Sequence, residues 1–220
     1  MFNRVLFATL IGLTALTADA QIYINGGYLG SRRFARPQLS PNYHVRQPLK
    51  RYYDDNNGFY VGASFNRDFH GLYGLEFGIN YIHEMNVNNK YYKNRTWWAD
   101  GLGGEWWDWR SVEISALFNI GKDLTDDLRL KGFAGPTFVY RYSYEGTDSD
   151  YFQESMREVN FYLSLGASLE WRHLLRLKLG VDYCPIDMSI SRFSGGDADL
   201  LLTELRYTAG VSFILPTLRN

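Results

Sequence analysis

The chain has 220 residues, a formal net charge of −1, 17% aromatic residues, 21 glycines and a single cysteine. Near-zero charge gives no electrostatic footprint for nucleic acid, and a lone Cys184 excludes an intrachain disulfide. No segment beyond the first 20 residues carries 18 consecutive apolar residues, so the sequence offers no transmembrane helix.

The N-terminal stretch MFNRVLFATLIGLTALTADA has one basic residue, Arg4, then an apolar run from Val5 to Ala18 and a small-x-small site, Ala18-Asp19-Ala20. That is the pattern of a secretory signal peptide over residues 1–20, with 21–220 as one domain. The apolar run falls short of the ~20 residues a membrane helix needs. Loss of this segment removes one Arg and one Asp and leaves the charge unchanged.

From Gln21 onward the dominant signal is alternation with a period of two, which places successive side chains on opposite faces of a strand. Gln21 to Gly30 shows no clear phase. Phe59, Val61, Ala63 and Phe65 alternate with polar or small residues, and Tyr73, Leu75, Phe77, Ile79 and Tyr81 with Gly74, Glu76, Gly78, Asn80 and Ile82. Val112 to Ile120 opposes Glu113, Ser115, Leu117 and Asn119. Leu128 and Leu130 oppose Arg129 and Lys131 in a strand interrupted by Pro136. Val159 to Trp171, Leu175 to Tyr183 and Leu205 to Leu215 complete eight strands.

The links between these strands alternate in length. Segments 31–57, 86–108, 145–157 and 187–202 are long, whereas those near 68–71, 122–127 and 172–174 are tight. Eight antiparallel strands with long loops at one end and tight turns at the other predict an all-β, eight-stranded, up-and-down transmembrane β-barrel with periplasmic termini. The apolar rows are nearly free of charge, as lipid demands, since a charge at mid-depth costs about 2–4 kcal/mol. Aromatics gather at strand ends as two girdles: Phe138, Tyr140, Tyr142 and Tyr144 toward the long loops, Tyr73 and Trp171 toward the tight turns. A secreted β-sandwich also accounts for the strands, but not for the loop asymmetry or the girdles.

In a barrel of eight strands the interior is just wide enough to be filled by side chains. The polar rows supply Glu76, Glu113, Glu170, Asp182 and Glu204 as acids and Arg129, Lys131, Arg172, Arg176, Lys178 and Arg206 as bases. Unpaired, such charges carry several kcal/mol of desolvation each, so we expect them to pair within the lumen and block it.

Strands such as GLYGLEFGINYIHE and NFYLSLGASLEWR, with the signal peptide and the strand count, give the chain its resemblance to the small outer-membrane barrels of Gram-negative bacteria. These are the OmpX and OmpA-transmembrane type and the outer membrane protein beta-barrel domain group. The resemblance covers residues 21–220, includes no diagnostic motif, and implies an outer-membrane location.

Function must then be sought in the loops. The segment NVNNKYYKNRTWWADGLGGEWWDW holds Tyr91, Tyr92, Trp97, Trp98, Trp106, Trp107 and Trp109, a density that suits contact with a protein, glycan or lipid, or an extension of the rim. Arg32, Arg33, Arg36, Arg46, Lys50 and Arg51 form a basic segment that suits either lipopolysaccharide phosphates or a solvated loop. The acidic loops lack spaced oxygen ligands, so no metal or cofactor is expected. His44, His70, His83 and His173 are the candidate bases of a lipid-modifying enzyme, but no nucleophile is set beside them by sequence. The expectation is a non-enzymatic surface-contact protein acting on outer-membrane lipid or a protein partner, the alternative being a subunit of a secretion or uptake complex.

Overall fold

A computed structural model describes residues 21–39, 52–69, 71–85, 107–146, 157–172, 174–186 and 198–215. Eight strands run in chain order: β1 (Gln21–Leu39), β2 (Tyr52–Phe69), β3 (Tyr73–Met85), β4 (Trp107–Thr125), β5 (Leu128–Gly146), β6 (Val159–Trp171), β7 (Leu175–Cys184) and β8 (Ala198–Leu215). Each pairs antiparallel with the next, and β1 pairs with β8, closing the barrel without a free edge. Closure satisfies every ladder within the sheet, which is the condition for a β-structure to stand in lipid.

The barrel is apolar outside and polar inside. Ile79, Ile114, Leu165, Leu179 and Phe213 point outward and are more than half exposed, whereas Arg176, Glu204 and Arg206 are fully buried within. A water-soluble sheet buries the opposite set. This inversion fits a bilayer around the barrel, with the charges sealed in its interior.

The strands are longer than the sequence pattern indicated. β1, β2, β4, β5 and β8 each run to 18 or 19 residues, beyond the ~9–11 that a tilted strand needs to cross a bilayer. Much of what reads as loop in 31–57, and the ends of 86–108 and 187–202, is therefore strand. The phase missing from Gln21 to Gly30 is present: Tyr23, Asn25 and Leu29 face inward, while Ile22, Ile24 and Tyr28 face outward. Alternation was obscured because β1 mixes polar and apolar residues in its inward row.

Two irregularities move side chains between faces. Arg110 pairs with Ser143 but Ser111 with Arg141, so Tyr142 is an extra residue in β5. Such a bulge shifts the alternation by one. Tyr140 and Tyr142 stay outward and Tyr144, expected in the girdle, turns inward and is buried. The β6–β7 turn is closed by a bond from the Leu174 N–H to the Trp171 carbonyl, with Arg172 at a left-handed φ of 50°.

Candidate functional site

The described part of the molecule that concentrates chemistry is the lumen. Its charged side chains arrive from β2 to β8 on inward positions two residues apart, the spacing that brings Arg176, Lys178 and Asp182 of β7 to one face. They form four linked clusters between the tight-turn end and the long-loop end.

At the tight-turn end, Lys131 Nζ lies 3.2 Å from Asp68 Oδ2 and 3.1 Å from Glu170 Oε1, and Arg129 Nη1 lies 3.1 Å from the same Asp68 oxygen. The Tyr23 hydroxyl donates to Glu170 at 2.9 Å. Next, Arg176 grips Glu76 with both terminal nitrogens, at 2.6 and 3.2 Å, and Lys178 adds a third bond to Glu76 at 3.1 Å. The Arg176 guanidinium also rests 3.8 Å above the Tyr23 ring. Deeper toward the loops, Arg206 Nη2 bridges Glu113 at 2.6 Å and Asp182 at 2.9 Å, and Asn80 donates to Glu113 at 2.9 Å. In the fourth cluster Arg141 binds Glu204 at 2.7 Å and the Tyr162 hydroxyl at 2.9 Å, while that hydroxyl donates to Glu204.

Ion pairs of this quality offset the desolvation that each charge would otherwise carry. The fill between them is aromatic. Tyr60 lies over Gly27 and Gly210 of the next two strands, β1 and β8, and Phe133 over Gly166 and Gly180 of β6 and β7 in the same way. A Cβ on Gly166 would run into the Leu179 carbonyl and the Phe133 ring, so glycine here makes room for the ring opposite. Among the described residues a polar cavity of about 40 Å³ lies between the Glu76 and Glu113 clusters, lined also by Tyr60, Asn80, Thr137 and Ser164. That is space for a few waters.

The sequence-predicted network is brought together with one exception. Glu76, Glu113, Arg129, Lys131, Glu170, Arg176, Lys178, Asp182, Glu204 and Arg206 all join it. Arg172 does not. Its positive φ ends the alternation after Trp171, and its side chain, 56% exposed, pairs with Asp127 on the neighbouring turn and lies over the Trp171 ring. Sequence reasoning missed Arg141, which lies on the inward row of the strand it read over 128–144, and buried Glu84, which the β3 alternation reaches two residues past Ile82.

The aromatic segment divides. Tyr91, Tyr92, Trp97, Trp98 and Trp106 lie outside the described residues, and Trp107 begins β4. Trp109 is no loop contact: it faces the lumen, 3% exposed, edge-on to Tyr144 with its ring 4.7 Å from the Arg141 guanidinium. The basic segment divides similarly. Arg32, Arg33 and Arg36 belong to β1, opposite Leu205, Glu204 and Leu201 of β8, with Arg32 exposed. Arg46, Lys50 and Arg51 lie outside the described residues.

No family model matches the chain, and no curated protein does either. Solved structures do match. Outer membrane protein OprG from Pseudomonas aeruginosa aligns over 89% of this chain and 96% of its own, at 13% identity and a TM-score of 0.51. The fold is that of a small outer-membrane barrel. The attachment invasion locus protein Ail of Yersinia pestis aligns over 90% of this chain and 99% of its own, at 12% identity and a TM-score of 0.42. Neisserial surface protein A covers 89% and 99% at 12% and 0.44. Identities this low speak for the architecture and leave the chemistry to the residues themselves.

Proposed function

We propose that this protein is an integral outer-membrane barrel that acts by surface contact at its long-loop end and conducts nothing through its lumen. The observation that supports this reading is the packing of the described lumen: four charge clusters, two aromatic rings seated on glycines of neighbouring strands, and between the clusters a cavity of about 40 Å³. A solute path would require these pairs to separate, and each separation strands a buried charge. Strands of 18 or 19 residues run past the apolar band and present their long-loop ends beyond it, where a partner can reach them. The tryptophan-rich segment from Trp97 to Trp107 is the contact surface in this reading, because aromatic side chains dominate contact energetics.

Two measurements test it. In planar bilayers the purified protein shows no large, steady conductance, whereas Tyr60→Ala combined with Phe133→Ala admits measurable ion flux. A steady conductance in the unaltered protein sinks the closed-lumen part. For the contact part, a Trp97/Trp98/Trp106/Trp107→Ala variant that retains its folded gel mobility loses whatever partner the parent retains from mild detergent extracts. Unchanged retention removes the aromatic segment from the function.

A further inference from the structure

A second polar group stands on the outer wall, at the long-loop edge of the apolar band. At the long-loop end of β3, β4 and β5, four outward side chains form a line of alternating character: His83, Asp108, Arg110 and Glu145. His83 Nε2 lies 2.7 Å from Asp108 Oδ2, Arg110 Nε 3.8 Å from Asp108 Oδ1, and Arg110 Nη2 3.2 Å from Glu145 Oε1. One register step toward the middle of the barrel, Tyr81, Val112 and Tyr140 occupy the same outward face. Phe59 meets His83 edge-on at 5.2 Å, and Tyr140 and Tyr142 lie side by side. Tyrosines on the outer face mark the headgroup level of a bilayer. The charged line therefore sits where lipid phosphates and amines lie, above the acyl chains.

We infer that this line is a binding site for a phosphoethanolamine headgroup. Its charges specify the ligand. A purely anionic headgroup meets Arg110 but is repelled by Asp108 and Glu145, and a purely cationic one leaves Arg110 without a role. A zwitterion satisfies both. Glu145 is 54% exposed and Arg110 38%, so their mutual pair is held weakly enough to open. The phosphate then takes the Arg110 fork in the paired geometry that guanidinium favours, and the ammonium takes the Glu145 carboxylate. Asp108, at 17% exposure, stays between His83 and Arg110 and fixes both. An ammonium donates hydrogen bonds to a carboxylate; a quaternary choline has no N–H to give. The tyrosine faces beside the line offer choline a cation–π contact instead, which makes choline the discriminating competitor.

The test counts lipids retained by the whole purified barrel in native mass spectrometry, after incubation in micelles doped with diacyl phosphatidylethanolamine, phosphatidylcholine or phosphatidylglycerol. A parallel arm uses a glycolipid carrying phosphoethanolamine. The expected result is ~tenfold better retention of the ethanolamine lipid than of choline, the ratio one charge-assisted hydrogen bond provides. Arg110→Gln and Glu145→Gln should each abolish that preference while thermal unfolding stays near the parent's. Because Glu145 is the more exposed, its variant keeps the test decisive should Arg110→Gln fail to fold. Preference for the glycolipid over the diacyl form supports the same chemistry and identifies the source. Equal retention of ethanolamine and choline, stronger retention of phosphatidylglycerol, or an unchanged preference in Glu145→Gln overturns the assignment.

Discussion

The two faces of the same eight strands obey different rules. On the outer face any large apolar side chain serves: Ile114 and Leu165 stand among neighbours that impose little beyond being greasy, because the partner is fluid lipid. On the inner face the paired charges each have a named partner at a set distance, as Arg206 has Glu113 and Asp182. The outer face is thus specified by solvent and the inner face by geometry. Substitutions should separate the two by size and by kind of penalty.

The largest effect belongs to Arg206. Buried, bridging two carboxylates, and 4.2 Å above the Tyr162 ring, it ties together groups from three other strands. Arg206→Ala leaves Glu113 and Asp182 facing each other without a cation. Breaking a buried pair in this way costs about 3–5 kcal/mol, read as a lowered urea midpoint for unfolding from detergent or lipid. Glu113→Leu should cost less, since Arg206 keeps Asp182. If Arg206→Ala unfolds at the parent's midpoint, the lumen is wetter than its geometry implies and pairing contributes little.

The outer face answers to a different substitution. Ile114 points to lipid near the middle of β4, so Ile114→Leu should be nearly silent and Ile114→Arg should cost about 2–4 kcal/mol in the same assay. Equal midpoints for the two would place Ile114 outside the apolar band. A large loss for Ile114→Leu would mean that this wall packs against protein, which is what a tight complex with another barrel would do.

This division explains what was legible from sequence. A two-residue period against a uniform solvent is a repeated signal, so strand number, the lipid row and most of the lumen charges could be read from residues such as Val159 to Trp171. Partners could not be read, since Arg176 and Glu76 lie 100 positions apart and meet only when the barrel closes. Nor could the bulge at Tyr142, because one inserted residue leaves the composition unchanged while moving Tyr144 from girdle to lumen. Trp109 misled for a related reason: it stands in a run of tryptophans that looks like one surface, yet β4 has already begun at Trp107 and alternation carries it inward. The charged line on the outer wall escaped because its members come from three strands and break the very rule that revealed the strands.

Among the charges the smallest effect should come from Arg172, and it sharpens the contrast most. Arg172 and Arg176 are four residues apart, and strict alternation sends both into the lumen. The left-handed turn at Arg172 diverts it to the tight-turn surface, where it faces Asp127 at 3.4 Å with both side chains more than half exposed. A pair in water trades solvation for contact almost evenly, so Arg172→Ala should change stability by only about 0–1 kcal/mol, and less at high salt. Arg176, fully buried and bonded twice to Glu76, should show a loss of the Arg206 class instead. The urea midpoints of the two alanine variants, measured side by side, decide whether burial or sequence position sets the penalty. A loss at Arg172 as large as at Arg176 would return Arg172 to the lumen and contradict the turn geometry.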